Sequence, residues 1–407
     1  MHYFTKHLNG ITTVFAPMND SYSTTVQVFV KAWSIYEDKR TNGISHFLEH
    51  MFFKGGKKYQ TPSDVAIAVE SFGGEFNAYT GDEIASYYVK CPPTHAIKAL
   101  DVLADMMIHA QFPVDEMERE KLVVVQEIKM YDDNPQALVS QQWNQRYHGD
   151  NPYGRTILWP AENVMAFTRD DLYAHQQSLY TKDNLILVVA GKIDDQMAIE
   201  DAISELFDKL PAVKTGGATP YTRTLPSSQT SFFDKKTEQN HLIICAPSFA
   251  YHDDRKYAAK ILATILGGNM SSRLFQQIRE KLGLCYYIGA RHAVADYDGM
   301  FFIKAGIDKE RFDFGVEHIY AEIAKFVSDG ITDSELANAQ SYLEGKLQMG
   351  IESSDEMAEF VGDDMLLHGT VTTLEEVLAG YQAVTKDDVH ALLPFLAKEN
   401  LYMYHIQ

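Results

Sequence analysis

Tyr36-Glu37-Asp38-Lys39-Arg40 and Tyr251-His252-Asp253-Asp254-Arg255 are one landmark met twice, 215 positions apart. Each stands just before an apolar helix pattern. A second pair repeats the spacing: Thr168-Arg169-Asp170-Asp171-Leu172 and Thr385-Lys386-Asp387-Asp388-Val389 lie 217 apart. A strand pattern closes each half, Asn184-Leu185-Ile186-Leu187-Val188-Val189 and Asn400-Leu401-Tyr402-Met403-Tyr404. Two landmarks in the same order at nearly one offset indicate an internal duplication. The 407-residue chain therefore reads as two related halves, residues 1–210 and 229–407. Between them residues 211–228, rich in Pro, Gly, Thr and Ser, read as a linker.

Each half mixes hairpin strands with runs of helix. Thr24 to Trp33 and Tyr87 to Lys90 read as strands, and Asn9-Gly10 reads as a hairpin turn. Thr61 to Phe72 reads as a helix in which Thr61 caps and Pro62 takes the first turn. Regular βαβ alternation is missing. The pattern predicts an α+β fold of two homologous sandwich halves, each with helices covering one face of a sheet.

Composition narrows the class of function. A hydrophobic content of 45% suits an ordered globular chain with substantial cores. The formal charge of -20 argues against a nucleic-acid surface and reads first as a source of solubility. Cys91, Cys245 and Cys285 are too few and too scattered for a disulfide frame or a cysteine metal site, which suggests free thiols in a reducing compartment. The opening Met1-His2-Tyr3-Phe4-Thr5-Lys6 lacks the apolar core of a secretion signal. No stretch approaches the roughly 18 apolar residues of a membrane span. The expectation is a soluble, cytoplasmic protein.

The chemistry is concentrated in His46-Phe47-Leu48-Glu49-His50. On a helix, the i,i+4 spacing puts both imidazoles on one face a turn apart, close enough to share a metal ion. Glu49 projects about 100° around the helix from His50, beside such an ion rather than on it. Ile44, Phe47, Leu48, Met51 and Phe52 recur at helical spacing, so the histidines flank a buried stripe and each ring nitrogen needs a partner. A third ligand has to come from another element. Pro113 to Ile128 is opened by acids, as a helix start should be, and places Glu116, Glu120, Val123 and Glu127 along one face. Glu127, among Val123, Val124, Val125 and Ile128, reads as a partly buried carboxylate. Taken alone, Glu116 and Glu120 read as a solvated face.

These residues together resemble the inverzincin metallopeptidases of the pitrilysin/insulinase family, in particular the mitochondrial-processing-peptidase-like branch. The resemblance extends through Met51-Phe52-Phe53-Lys54-Gly55, Gly73-Gly74-Glu75-Phe76-Asn77-Ala78-Tyr79-Thr80 and Asn151-Pro152-Tyr153-Gly154. It continues in Arg279-Glu280-Lys281-Leu282-Gly283-Leu284-Cys285-Tyr286 and so spans nearly the whole chain. It implies that His46, His50 and Glu127 bind one zinc ion per chain, that Glu49 is the general base, and that Glu120 supports the site from behind. It further implies that Asn77 and the backbone at Ala78 hold an extended peptide, gripped from the opposite wall by Arg279 and Tyr286, with Tyr286 assisting the oxyanion. By the same resemblance, two-half members pair into a closed chamber. A homodimer is expected here, with a related subunit as the other partner to consider.

The duplication supplies its own control. At an offset of 215, His46, Glu49 and His50 fall on Ile261, Thr264 and Ile265. The scaffold therefore does not need the polar set, as expected of a site added to a fold. The expected function is a zinc endopeptidase acting on unstructured peptides or leader segments. The alternatives are an idle structural subunit of a processing-peptidase-like complex and a small-molecule lyase with the same motif order. The duplicated halves and Glu127 count against the lyase.

Overall fold

The computed structural model describes residues 2–81, 83–149, 151–155 and 160–407. In the first half, β1 (Phe4–Leu8), β2 (Ile11–Pro17), β3 (Thr24–Val30), β4 (Glu75–Thr80), β5 (Ala85–Cys91) and β6 (Leu185–Gly191) form one sheet in the order β1-β2-β6-β3-β5-β4. The β1–β2 hairpin turns on Asn9 (φ 49°) and Gly10 (φ 85°), the two positive φ angles a type I′ turn requires. In the second half, β7 (Thr230–Phe233), β8 (Gln239–Pro247), β9 (Cys285–Val294), β10 (Gly299–Asp308) and β11 (Tyr402–Ile406) run β7-β11-β8-β10-β9. The orders β2-β6-β3-β5-β4 and β7-β11-β8-β10-β9 are the same topology. In each, the sequence-distant strand, β6 or β11, pairs parallel on one side and antiparallel on the other. The duplication legible in the sequence is thus a duplication of fold, and the chain is α+β.

The landmarks explain themselves locally. Thr168 and Asp171 form a capping box at the helix Arg169–Leu179, and Thr385 and Asp388 form the same box at Lys386–His390. Asp38 Oδ1 accepts from the amides of Arg40 (2.8 Å) and Thr41 (2.7 Å), and Asp253 Oδ1 accepts from that of Arg255 (2.9 Å). These side chains recur because the same turn must be tied twice. The predicted helix at Thr61 runs Pro62–Glu70 behind a Thr61/Asp64 capping box, and β3 ends at Val30, before the predicted Trp33.

Packing departs from the sequence boundaries. One compact unit comprises Met1–Lys129, Arg155–Pro220 and Met349–Thr373, and the other Met130–Gly154, Tyr221–Gln348 and Leu374–Gln407. In the first, one sheet face carries the main core, including Val26, Val28, Leu187 and Val189, under Ile44–Phe52, Ala96–Ile108 and Arg169–Leu179. The other face, with Val14, Phe29, Ile186 and Val188, is covered by the helix Ser354–His368, which the sequence places in the second half. Gly362 permits the close approach, since a Cβ there would come within 2.2 Å of the Phe29 ring. The second unit repeats the device. Leu138, Val139, Trp143 and Tyr147, on the helix Pro135–His148 of the first half, pack against Ile243, Cys245, Tyr404 and Ile406.

The expectation of helices on one face only is therefore corrected. Both faces are covered, because strands such as β6 are apolar on both sides and buried at every residue. The halves 1–210 and 229–407 describe the repeat, whereas the compact units each include one helix from the other half. All three cysteines are free thiols, with Cys91 and Cys245 buried. Among the described residues, no helix is long and apolar enough to cross a membrane.

Candidate metal site

The motif forms the helix Ile44–Phe52, held by Ile44, Phe47, Leu48, Met51 and Phe52, all 0–1% exposed in the core. That anchorage carries His46 and Glu49 below the surface as well, at 9% and 8% exposure. The two imidazole rings lie with centroids 4.5 Å apart. The acidic helix Val114–Asp132 is seated by Met117 and Val124 and brings Glu120 and Glu127 to the same place. Glu127 Oε1 lies 3.8 Å from His46 Nε2, and Glu127 Oε2 lies 3.4 Å from His50 Nε2. One donor atom from each of His46, His50 and Glu127 falls within 4.8 Å of the other two.

The surroundings orient this set. Glu120 Oε1 lies 2.8 Å from His50 Nδ1, which leaves His50 Nε2 facing Glu127. Glu120 Oε2 is in turn paired with Lys54 Nζ at 2.6 Å. Glu120 is 6% exposed, so the solvated-face reading of that residue is overturned. The helix presses it against His50 and Lys54, and a buried carboxylate is tolerable when both its oxygens are bonded. Glu116 does stay at the rim, paired with Arg119. Glu127 is half-buried as expected, although Val123 beside it is exposed.

Electrostatics follow from these contacts. Burial, reinforced by the charge of His50, presses the His46 pKa down to about 3. Burial also opposes a charge on His50, but its bonds to Glu120 and Glu127 outweigh that and lift it to about 9. The hydrogen bond from His50 is the leading cause that holds Glu127 below the usual carboxylate range. Burial raises Glu49, partly offset by the hydroxyl of Thr80, which donates to Glu49 Oε2. The carboxylates have gathered positive charge at this point, and a dication would take the place of the proton. Two imidazole nitrogens and a carboxylate are a donor set that suits zinc.

The other residues singled out in the sequence fall into two groups. Asn77 and Ala78 are on β4, an edge strand of the sheet, and the Ala78 amide donates to Asn77 Oδ1 at 2.9 Å. Asn77 is exposed. Arg279 and Tyr286 belong to the second unit and meet each other there. The Arg279 guanidinium stacks over Phe275 (4.6 Å) and Tyr286 (5.4 Å), and Tyr286 is 76% exposed, which leaves its hydroxyl face available. The contacts of Thr80 with Glu49 and of Lys54 with Glu120 carry no signal in the sequence. Both depend on residues 31 and 66 positions away, respectively.

Comparison with known proteins finds two matching family models and relatives that cover nearly the whole chain. The family described as Insulinase (Peptidase family M16) matches residues 14–161, and the one described as Peptidase M16 inactive domain matches residues 166–343. A Bacillus subtilis protein named as an uncharacterized zinc protease is 34% identical over 392 residues, covering 96% of this chain and 95% of its own. A similarly named protein of Rickettsia felis is 32% identical, covering 94% of this chain and 92% of its own. Among solved structures, a protease from Helicobacter pylori superposes with TM-score 0.90 at 20% identity, covering 100% of this chain and 99% of that one. A Pseudomonas fluorescens structure described as a peptidase M16 inactive domain gives 0.91 at 19%, covering 100% and 98%.

Proposed function

Because the chain belongs to the insulinase family of peptidases, family M16, we propose that it is a zinc-dependent endopeptidase cleaving unstructured peptides. The observation that carries this reading is the convergence of His46, His50 and Glu127 within 4.8 Å, with Glu49 buried beside them. His46, His50 and Glu127 would hold one zinc ion, which supplies Lewis acidity and lowers the pKa of water. Glu49 accepts a proton from the attacking water and returns it to the leaving amine, the two halves of general acid–base catalysis. Its raised pKa suits both roles. Thr80 holds the Glu49 carboxylate, and Glu120, backed by Lys54, holds His50 in the tautomer that leaves Nε2 free to ligate.

Substrate would add as a strand along β4, the open edge that carries Asn77 and Ala78. Recognition through main chain favours extended peptides over folded proteins. Arg279 and Tyr286 are proposed to grip substrate carbonyls, with Tyr286 assisting the oxyanion, in a chamber closed by pairing of two chains. The presence of His46, His50 and Glu127 together with the buried Glu49 favours the active reading over an idle subunit.

The test is to incubate wild type and Glu49→Gln with a mixed peptide library and map new termini by mass spectrometry. Cleavage by wild type alone is expected. Identical product maps would remove the proposed catalysis, and a shared residue beside the cuts would define specificity.

A further inference from the structure

The repeated landmark differs at its second and fourth residues, and the second is Glu37 in the first copy and His252 in the second. Glu37 is 5% exposed. Its carboxylate gathers three donors at the start of the motif helix. Oε2 accepts from the Gly43 amide (2.8 Å) and Asn42 Nδ2 (3.1 Å), and Oε1 accepts from the Ser45 amide (3.0 Å). Gly43 is the N-cap of that helix, has φ 99° and brings no capping side chain. Glu37 therefore serves the Ser45 amide, which a cap side chain normally satisfies, and the amide of the cap residue itself, and it sets a carboxylate at the positive end of the helix dipole.

Further ties surround it. Ser45 Oγ lies 2.9 Å from His175 Nε2, and Asn163 Nδ2 donates to the carbonyls of Lys39 (2.9 Å) and Asn42 (3.1 Å). Arg155 donates to the Glu37 carbonyl. At the repeat offsets of 215 and 217, Glu37, Asn42 and Ser45 fall on His252, Tyr257 and Lys260, and His175 falls on Leu392. The counterpart helix Lys256–Ala263 has Arg255 at its N-cap and no side-chain cap. Asp38 and Asp253 do keep their shared role in the turn. The aspartate turn is thus common to both copies, while the buried glutamate and the Asn42 side chain that donates to it occur only in the copy that carries the metal-ligand candidates. A buried carboxylate is costly to desolvate, and the second copy folds without one.

We propose that Glu37 is a positioning residue of the metal site. It fixes the first turn of the motif helix through the Ser45 amide, one residue before His46, and so sets His46 Nε2 against Glu127. This inference rests on the zinc reading above.

The experiment uses the full chain and Co2+ as a spectroscopic stand-in for zinc, with affinity from chelator competition and geometry from the visible absorption bands. Glu37→Gln presents one acceptor and one amine where two acceptors are needed, so one helix amide faces a donor. An affinity loss of about 10- to 100-fold, the range for residues that orient ligands, is expected together with altered bands. Thr61→Ala removes the cap of Pro62–Glu70 in the same unit and serves as the stability control, with parental affinity and bands. Should Glu37→Gln fail to fold, Glu37→Asp, which keeps the charge at shorter reach, is expected to show a smaller loss in the same direction. Parental affinity and bands in the folded Glu37 variant, or an equal loss in Thr61→Ala, would overturn the inference alone. A parent chain that takes up no Co2+ would overturn the zinc reading and this inference with it.

Discussion

In one copy of the repeat, the helix Ile44–Phe52 carries His46, Glu49 and His50 against Glu127 and Glu120. In the other, the equivalent positions are Ile261, Thr264 and Ile265, at 0%, 4% and 6% exposure in an apolar core. Strand order and the aspartate turn before the helix are shared. The difference teaches that topology is indifferent to what these three positions carry, because the apolar stripe and the sheet beneath already specify the helix. The polar set is a local substitution that has to be supported by its own partners, and Glu120, Lys54, Thr80 and Glu37 are those partners.

The comparison can be tested most severely at its chemical end. Glu49→Gln should keep fold and metal while lowering the cleavage rate by about 10²–10⁴-fold, the usual contribution of a positioned base, measured by turnover of a cleaved peptide. A metal-loaded variant with wild-type turnover would break the assignment. Next in size, Ile261→His puts an imidazole into the second core, where Ile261 is packed among apolar side chains. A loss of about 2–4 kcal/mol is expected from an unsatisfied buried polar group, read by denaturant unfolding. His46→Ile in the first unit should leave the fold intact. Equal effects of the two changes on stability would remove the asymmetry between the copies.

Glu120→Gln should weaken metal binding by about 10- to 100-fold with little change in secondary structure, measured by chelator competition. Unchanged affinity would return Glu120 to a merely structural place.

The smallest effect concerns the exchanged helices. Ser354–His368 is acidic, and Asp363 on it has its pKa raised to about 7, first by burial and then by Glu359, Asp364 and Glu83. At the equivalent place the helix Pro135–His148 carries Arg146. A raised carboxyl contributes stability that is fully present below its unfolded pKa and is lost as pH rises through the folded value. The first unit should therefore lose stability between about pH 4 and pH 7 through this group. Asp363→Asn should remove that slope and add on the order of 2 kcal/mol at pH 8, after allowance for partial solvent exposure. A pH profile of unfolding that is the same in both proteins would sink this account.

Much of the site was legible because its determinants are local or periodic. His46, Glu49 and His50 are read from helical spacing, whereas the apolar run around Glu127 gives only a partly buried carboxylate and its place as a ligand is implied by the resemblance. Pattern alone places Glu120 in water, since a glutamate pressed on His50 looks the same in sequence as a solvated one. Thr80 and Lys54 were silent for the same reason. The coverage of both sheet faces could have been foreseen from the unbroken apolar run of Leu185 to Ala190. Which helix provides that cover could not, because it arrives from the other half.

By itself the sequence determined the duplication, the helix and strand patterns and the His46, Glu49 and His50 set, because these depend on spacing along one chain, while Glu127 as the third ligand is implied by the family resemblance. Tertiary structure alone decided that Ser354–His368 and Pro135–His148 change places and that Glu120 is bonded to both His50 and Lys54. It also decided that Thr80 reaches Glu49 and that Glu37 closes the helix start. These depend on distances between segments far apart in the chain, which burial and hydrogen-bond satisfaction settle only once the whole core has packed.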